Sequence, residues 1–596
     1  MQQRLAGVAP ELRASARNLV HYVALRQEDL RPLQAALARQ GLSSLGRAES
    51  CVLGSVLQAS ARAHEALALR GDASARRQAR RLAGAGEREL PWEAAQSRLH
   101  ANARTLLGPR PLDRQVSIMV TAPLAAEADE AWMARLLEAG MNVLRINCAH
   151  GDQREWGALV AALGAARART GRPCQVLMDL AGPKIRTGPL AEGRRVVTWK
   201  PTRDDVGAVT APARVVVRRA SAGPGGEPGP FLRLSDQDFA RVRRGDGLHL
   251  DDASHRRRTL LVDEVSADQL VLLATQRASV LDGATVGLAR AGRRRGVVRL
   301  EVAGDAPGAI DVRVGDPLVL TSRRTTGRAP RRLPSGRVSA PGRIACTLPQ
   351  ALERLGVGHR VMFDDGRIEA VVARKLSPGR FELEVRRTHK RTSILRAEKG
   401  INLPDTPMAV PSLSEEDVAA LTFVAEHADA VSLSFVSRPA DLRRLRQELD
   451  RLGRPALGVV LKIETRAGFE RLPSLLLEGL RRPPLGVMIA RGDLAVEVGF
   501  ERLAEVQEEI LWLCEASHTP AIWATQVLDT LARTGAPSRA EVTDASASVA
   551  AECVMLNKGP FVDRAVVMLA DILRRMETHH DKKRSLFRRL GVSTFA

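Results

Sequence analysis

Aromatic side chains are scarce in this 596-residue chain: 3% of positions, with a single tyrosine. Base-stacking platforms need aromatics, so a nucleic-acid partner is not expected, despite a formal charge of +22 and a pI near 10.9. The charge excess is mostly arginine in an Ala- and Arg-rich chain and reads as the solvated faces of a soluble protein. The same positive field would favour small anionic substrates. The six cysteines are scattered, with no CxxC pair. That excludes a disulfide scaffold and a zinc ribbon and suits a reducing cytosol. No apolar run approaches the roughly 18 residues of a membrane span. The opening MQQRLAGVAPELRASARN has no secretory apolar stretch. A cytoplasmic location without a membrane partner is therefore expected.

What is present falls into blocks. Residues 1–112 read as a helical extension with no concentrated chemistry. From Val116, short β-rich runs alternate with amphipathic segments: SIMVT (117–121), NVLRINC (142–148) and QVLMDL (175–180). A region rich in Val, Arg, Gly and Pro then reads as a β-rich insertion over 189–399. The alternation resumes with AVSLSF (430–435), GVVLKIET (458–465), LGVMIARGD (485–493), PAIWATQ (520–526) and ECVMLN (552–557). Eight strand–helix units in series predict an α/β fold, a (β/α)8 TIM barrel in two parts, 113–188 and 400–576. The insertion follows strand three, and a basic tail occupies 577–596. An open doubly wound sheet would want a Gly-rich phosphate turn after its first strand, and none is there.

A parallel barrel puts its chemistry at the C-terminal ends of its strands. The polar residues fall there: Thr121, Arg145, Asn147, Asp179, Ser434, Lys462, Glu464, Arg491, Asp493, Thr525, Gln526, Asn557 and Lys558. Residues two apart on a strand share a face, so Arg145 with Asn147 and Lys462 with Glu464 can address one site. Glu464 and Asp493 are hard oxygen ligands suited to Mg²⁺ or Mn²⁺, and neither has a nearby His or Cys to favour zinc. Arg145, Arg186 and Lys462 supply positive charge for phosphate oxygens. The turn in ARGDLAVEVG, leading into a helix expected around Phe500–Leu513, offers backbone N–H groups to an anion. Together these form a kit for phosphoryl transfer.

The segments EAGMNVLRINCAHGD, MDLAGPKIRTG, FDDGRIEAVV, KGINLP, SLSFVSRPAD, LKIETRAGFE, MIARGDLAVEVG, ATQVLDTL and PSRAEVTDASASVA resemble, in order, those of the pyruvate kinase family. The resemblance implies a glycolytic kinase that makes pyruvate and ATP from phosphoenolpyruvate and ADP. It implies that Lys462 stabilises the phosphoryl group in flight, that Arg145 and Arg186 hold the phosphate, and that Thr525 joins the relay protonating enolpyruvate. Glu464 and Asp493 would bind the metal. The backbone of Ala490, Arg491, Gly492 and Asp493 would take the substrate carboxylate, and Asn147 and Ser434 would lie against substrate. The insertion would be the family's lid, larger than usual, with Lys399 and Asn402 where the chain returns from it.

Departures carry information too. Of the family's K⁺ ligands, Asn147 and Asp179 remain, but Ala149 stands where the family has Ser and Leu180 where it has Thr. Lys184 replaces the usual Glu, and its ammonium would substitute for the ion, so K⁺ is not expected to be required. NKGP (557–560) replaces the family's GET segment, and nothing after about Met576 resembles its C-terminal regulatory domain. Effector sites of that domain are not expected. That domain also supplies an interface of the usual tetramer, so a homo-oligomer such as a dimer is expected instead. Two other readings stay open: a metal-dependent lyase or aldolase using pyruvate enolate on the same barrel, and a non-catalytic regulator or nucleic-acid-binding relative.

Overall fold

Eight runs of aliphatic and β-branched residues close on themselves in sequence order as an all-parallel barrel. They are β1 (Ser117–Thr121), β2 (Val143–Asn147), β3 (Gln175–Asp179), β4 (Ala430–Leu433), β5 (Gly458–Ile463), β6 (Leu485–Ala490), β7 (Ala521–Val527) and β8 (Cys553–Leu556). Closure is made by β8 against β1, with Ser117 opposite Cys553. The computed structural model describes residues 5–581 apart from 44, 194, 223–228 and 408–409, together with 584–585. The basic tail expected at 577–596 thus lies largely outside the described residues. Two compact units divide the chain: Met1–Lys184 with Asn402–Ala596, and Ile185–Ile401.

In the first unit the N-terminal region folds as α1 (Arg13–Leu25), α2 (Arg31–Arg39), α3 (Val52–Ala68), α4 (Ala73–Gly86) and α5 (Trp92–Leu107). Helices between the barrel strands include α6 (Glu130–Ala139), α7 (Gln153–Thr170), α8 (Glu415–His427), α9 (Pro439–Arg451), α10 (Leu472–Gly479), α11 (Arg491–Val498), α12 (Leu503–Ser517) and α13 (Arg539–Ala547), besides short helices at Arg466–Glu470 and Asp529–Thr534; α14 (Val562–Glu577) follows β8. Their starts carry side-chain caps where the sequence offers them. Asp129 accepts the Trp132 N–H, Asp152 accepts those of Arg154 and Glu155, and Ser414 forms a reciprocal box with Asp417.

Strand periodicity sorts the core into two layers. Ile118, Val120, Leu144, Ile146, Val459, Leu461 and Ile463 pack beneath the surrounding helices. Their alternates Met119, Val143, Leu177, Ala430, Val460, Met488, Ile522 and Met555 fill the barrel interior. Leu106 and Leu107, the last residues of α5, belong to that interior cluster. A Cβ added at Gly458 would lie 2.8 Å from Leu106 Cδ1, and one at Gly486 2.3 Å from Cδ2. Two strand-start glycines therefore make room for a helix end. The region expected to be an extension closes the N-terminal end of the barrel.

Polar contacts fasten the same region. His518, at the end of α12, is fully buried between Ser15 Oγ and the Ser50 carbonyl, each 2.9 Å away. Asn18 donates to the carbonyls of Glu49 and Ala516 at 2.7 and 2.8 Å. Burial pushes the His518 imidazole down to about 4, so the ring is neutral here.

The second unit holds two large β structures, besides several two-stranded sheets, where the sequence suggested one module. Strands between Ala213 and Ala303 close into a seven-stranded barrel around Val217, Leu232, Leu248, Leu260, Leu270, Val286 and Val298. A separate six-stranded sheet includes Pro317–Thr321, Ile368–Ser377 and Arg380–Thr388. Among the described residues, no helix is long and apolar enough to cross a membrane.

Candidate active site

Above the apolar interior, the same strand faces turn polar within two residues. Val143 is followed by Arg145 and Asn147, Leu177 by Asp179, Val460 by Lys462 and Glu464. Registers align Asn147 with Asp179, so the polar ends of these two strands share one level. Asp179 is the hub. Its Oδ2 accepts from Arg145 Nε at 3.0 Å and from Lys462 Nζ at 3.2 Å, and Arg145 Nη2 also donates to it. Arg145 Nη1 donates to Thr121 Oγ1 at 3.0 Å. Lys462 Nζ lies 3.2 Å from Glu464 Oε1 and donates to Ser434 Oγ at 2.8 Å. Ser434 Oγ donates to the Leu180 carbonyl at 2.7 Å, and Glu464 Oε2 accepts the Phe435 N–H at 2.7 Å.

Burial sets the electrostatics. Asp179 is 1% exposed, Glu464 3% and Lys462 8%. Burial pushes the Asp179 carboxyl up, but Lys462 and Arg145 outweigh it and hold the group below the usual carboxylate range. Burial pulls the Lys462 ammonium down, and Asp179 and Glu464 outweigh it, so the net direction is up. For Glu464, burial wins over the pull of Lys462 and the Asp493 charge adds to it, so this carboxyl is raised. Asp179 Oδ1 is buried and has no hydrogen-bond partner among the described residues.

A raised carboxylate in the field of a second one suits a small divalent cation. Glu464 and Asp493 could hold it as hard ligands. No cluster of three or more His, Cys, Asp or Glu completes a shell among the described residues, so water and substrate oxygens would fill the remainder. Lys184 Nζ lies 3.9 Å from Asp493 Oδ1. Asn147 Oδ1 accepts the Ala149 N–H at 3.2 Å.

The sixth-strand turn is built differently from expectation. The expected turn is itself helical, α11 from Arg491 to Val498, while the helix expected around Phe500–Leu513 is present as a 3₁₀ turn at Phe500–Arg502 leading into α12. The Arg491 guanidinium is 7% exposed. It donates to the Ala524 carbonyl at 3.0 Å, to the Thr525 carbonyl and to both carboxylate oxygens of Asp544, and it lies 4.9 Å from the Trp523 ring centroid. Its side chain therefore braces the end of β7. Thr525 sits there at φ +66°, a conformation non-glycine residues rarely adopt, and its Oγ1 accepts the Gly492 N–H at 2.9 Å.

A cavity of about 320 Å³ adjoins the charge cluster through Thr121 and Arg145; Asn147, Trp156, Arg533 and Lys558 also line it. Asn402 is buried and hydrogen-bonds Glu497, whose carboxyl burial pushes up to about 7. Arg186 and Lys399 belong to the second unit. Arg186 donates to the Glu398 carbonyl at 3.0 Å, and Lys399 pairs with Asp364 at 3.0 Å. Sequence reasoning missed Asp544, Glu497, Trp156 and Arg533. Only Glu497 carried a signal, an acidic residue one helical turn beyond Asp493.

Residues 113–210 and 296–560 match the family model for the pyruvate kinase barrel domain, more than half of the chain. The stretch between them corresponds to most of the seven-stranded barrel. Pyruvate kinase of Geobacillus stearothermophilus is 23% identical over 474 residues, 78% of this chain and 57% of that protein. For Mycobacterium intracellulare pyruvate kinase the identity is 27% over 449 residues, 75% and 66% of the two chains. For that of Encephalitozoon cuniculi it is 34% over 251 residues, 41% and 55%. The chain thus spans less than two thirds of the length of each of these relatives. With the matched barrel and the polar mouth it carries, this chain belongs to the pyruvate kinase family.

Proposed function

We propose that this chain transfers the phosphoryl group of phosphoenolpyruvate to ADP, giving pyruvate and ATP. One observation carries the reading: Arg145, Asp179, Lys462 and Glu464 form a buried ion-pair cluster on the barrel's inner face. Phosphoryl transfer is largely a matter of positioning and charge stabilisation, and buried cations are worth more there than in water. The enol C–O–P linkage breaks at the phosphorus–oxygen bond, and a terminal oxygen of ADP forms the new one. Lys462 and Arg145 face the equatorial phosphoryl oxygens. Mg²⁺ or Mn²⁺, held by Glu464 and Asp493, would neutralise phosphate charge when bound. The enolate keeps the electron pair and takes a proton at its methylene carbon.

Thr525 serves that last step. Its hydroxyl oxygen occupies the Gly492 N–H, one of the donors assigned to the substrate carboxylate. Arrival of the carboxylate then releases the Thr525 hydroxyl for the proton relay. ADP takes the cavity lined by Arg145, Arg533 and Lys558, whose cations suit a diphosphate. Arg186 and Lys399 enter this reading only through the resemblance. K⁺ is not required: Ala149 and Leu180 lack the ligand oxygens, and the Lys184 ammonium near Asp493 supplies fixed charge.

A coupled assay of ATP formation from phosphoenolpyruvate and ADP, with and without Mg²⁺, tests the reading. ATP should accumulate only with both substrates and the metal. Consumption of phosphoenolpyruvate or pyruvate without ATP would refute it.

A further inference from the structure

The closed end of the barrel contains a cavity that plays no part in phosphotransfer. It measures about 290 Å³, near the lower end of ordinary small-ligand sites, about 300–1,000 Å³. Helix α5 supplies one wall, the starts of β1 and β8 another, and Glu577 with His580 a third.

Charge accounting decides what would fit. Two carboxylates line the space, and both are engaged by backbone donors. Glu552 Oε2 accepts the Ala521 N–H at 2.8 Å; Glu577 Oε1 accepts those of Gln115 and Val116 at 2.7 and 3.1 Å. Arg104, Arg110, His100 and His580 line it as well. Arg110 Nε donates to the Arg114 carbonyl at 3.4 Å, and its charge acts on the Glu577 carboxylate. Arg104 makes no side-chain hydrogen bond or ion pair among the described residues. The His and Glu side chains here do not form a metal-binding group among those residues either. The backbone donors leave both carboxylates charged but take up part of their hydrogen-bonding capacity, and Arg104, unpaired among the described residues, stands on the wall of a concave site; an unpaired guanidinium favours an oxyanion.

We propose that this cavity binds a small oxyanion, the phosphate or carboxylate group of a low-mass metabolite, with Arg104 as its principal partner. The site belongs to the N-terminal helices as much as to the barrel, which gives that region a chemical role besides closing the barrel. The proposal stands independently of the reaction at the opposite rim.

The test is hydrogen exchange on the full chain titrated with inorganic phosphate, glycerol 3-phosphate or citrate. Amides of 97–117 should gain protection saturably with at least one probe, and the preferred probe assigns the group as phosphate or carboxylate. In Arg104→Glu the protection should require about tenfold or more higher concentration, the loss of one charge-assisted contact. Arg104 is exposed, so the charge reversal leaves the fold intact. Absence of protection in that segment with every probe, or equal protection in Arg104→Glu, overturns the proposal. Binding at the rim protects other amides, so failure here is distinguishable from failure of the phosphotransfer reading.

Discussion

The two ends of the barrel are made by the same strand faces and could hardly differ more. Toward the C-terminal rim those faces carry Arg145, Asp179, Lys462 and Glu464, locked in mutual ion pairs. Toward the N-terminal end they carry Val143, Leu177 and Val460, sealed by Leu106 and Leu107. Backbone conformations differ as well. Phe435, Thr525, Gln526 and Leu528 all have positive φ near the rim, the kind of strain that costs about 1–3 kcal/mol per residue and clusters at functional sites. The contrast teaches that each end depends on the other. An apolar plug directly below the charges excludes water from beneath, which strengthens every pair above it.

The comparison breaks most visibly at Lys462. Lys462→Met keeps the stem and removes the charge, and kcat should fall about 10²–10³-fold, the usual cost of losing a main electrostatic contact. Steady-state kinetics check it, and an unchanged kcat would reassign the residue. At the closed end the expected effect is on stability. Gly486→Ala places a methyl group against Leu106 and should cost about 1–3 kcal/mol in denaturant unfolding. Adding Leu106→Ala should relieve part of that cost; strictly additive losses would contradict the packing described. A pH series sharpens the same end. His518 has a folded-state value of about 4, below the ordinary 6.5, so the unfolded chain binds its proton first as pH falls. Its contribution is present above about 6.5 and is lost down through about 4. Between pH 7 and 5, His518→Gln should lose about 1–2 kcal/mol less stability than the native chain; parallel curves would exclude the effect. The smallest expected effect is none. Replacing KCl with tetramethylammonium chloride should leave turnover unchanged, whereas a strict K⁺ requirement would remove the substituting role of Lys184.

The rim was legible in the sequence because its signals are local. Period-two alternation put Lys462 and Glu464 on one face with no knowledge of their neighbours, and eight strand-like runs sufficed for closure. The closed end was not legible, because the α5 segment WEAAQSRLHANARTLL reads as any amphipathic helix. What marks Leu106 as interior is a pair of glycines more than 350 residues away, at 458 and 486. The side-chain role of Arg491 was hidden for the same reason, since its carboxylate partner Asp544 lies on another helix. In the insertion, short strands of similar composition could be counted but not assigned. Long-range pairing, which composition does not encode, divides them between a closed barrel and a sheet.

The inserted seven-stranded barrel begins and ends on strands, Ala213–Arg219 and Arg293–Ala303, that flank the same neighbour, Phe231–Leu234. Register puts Ala303 two strand spacings across and three residues along from Ala213, so entry and exit are about 14 Å apart. A block whose two seams lie that close can be spliced in or deleted by one recombination event, with a few residues bridging the gap. A large addition at such a point therefore need not interrupt the packing of the eight-stranded barrel.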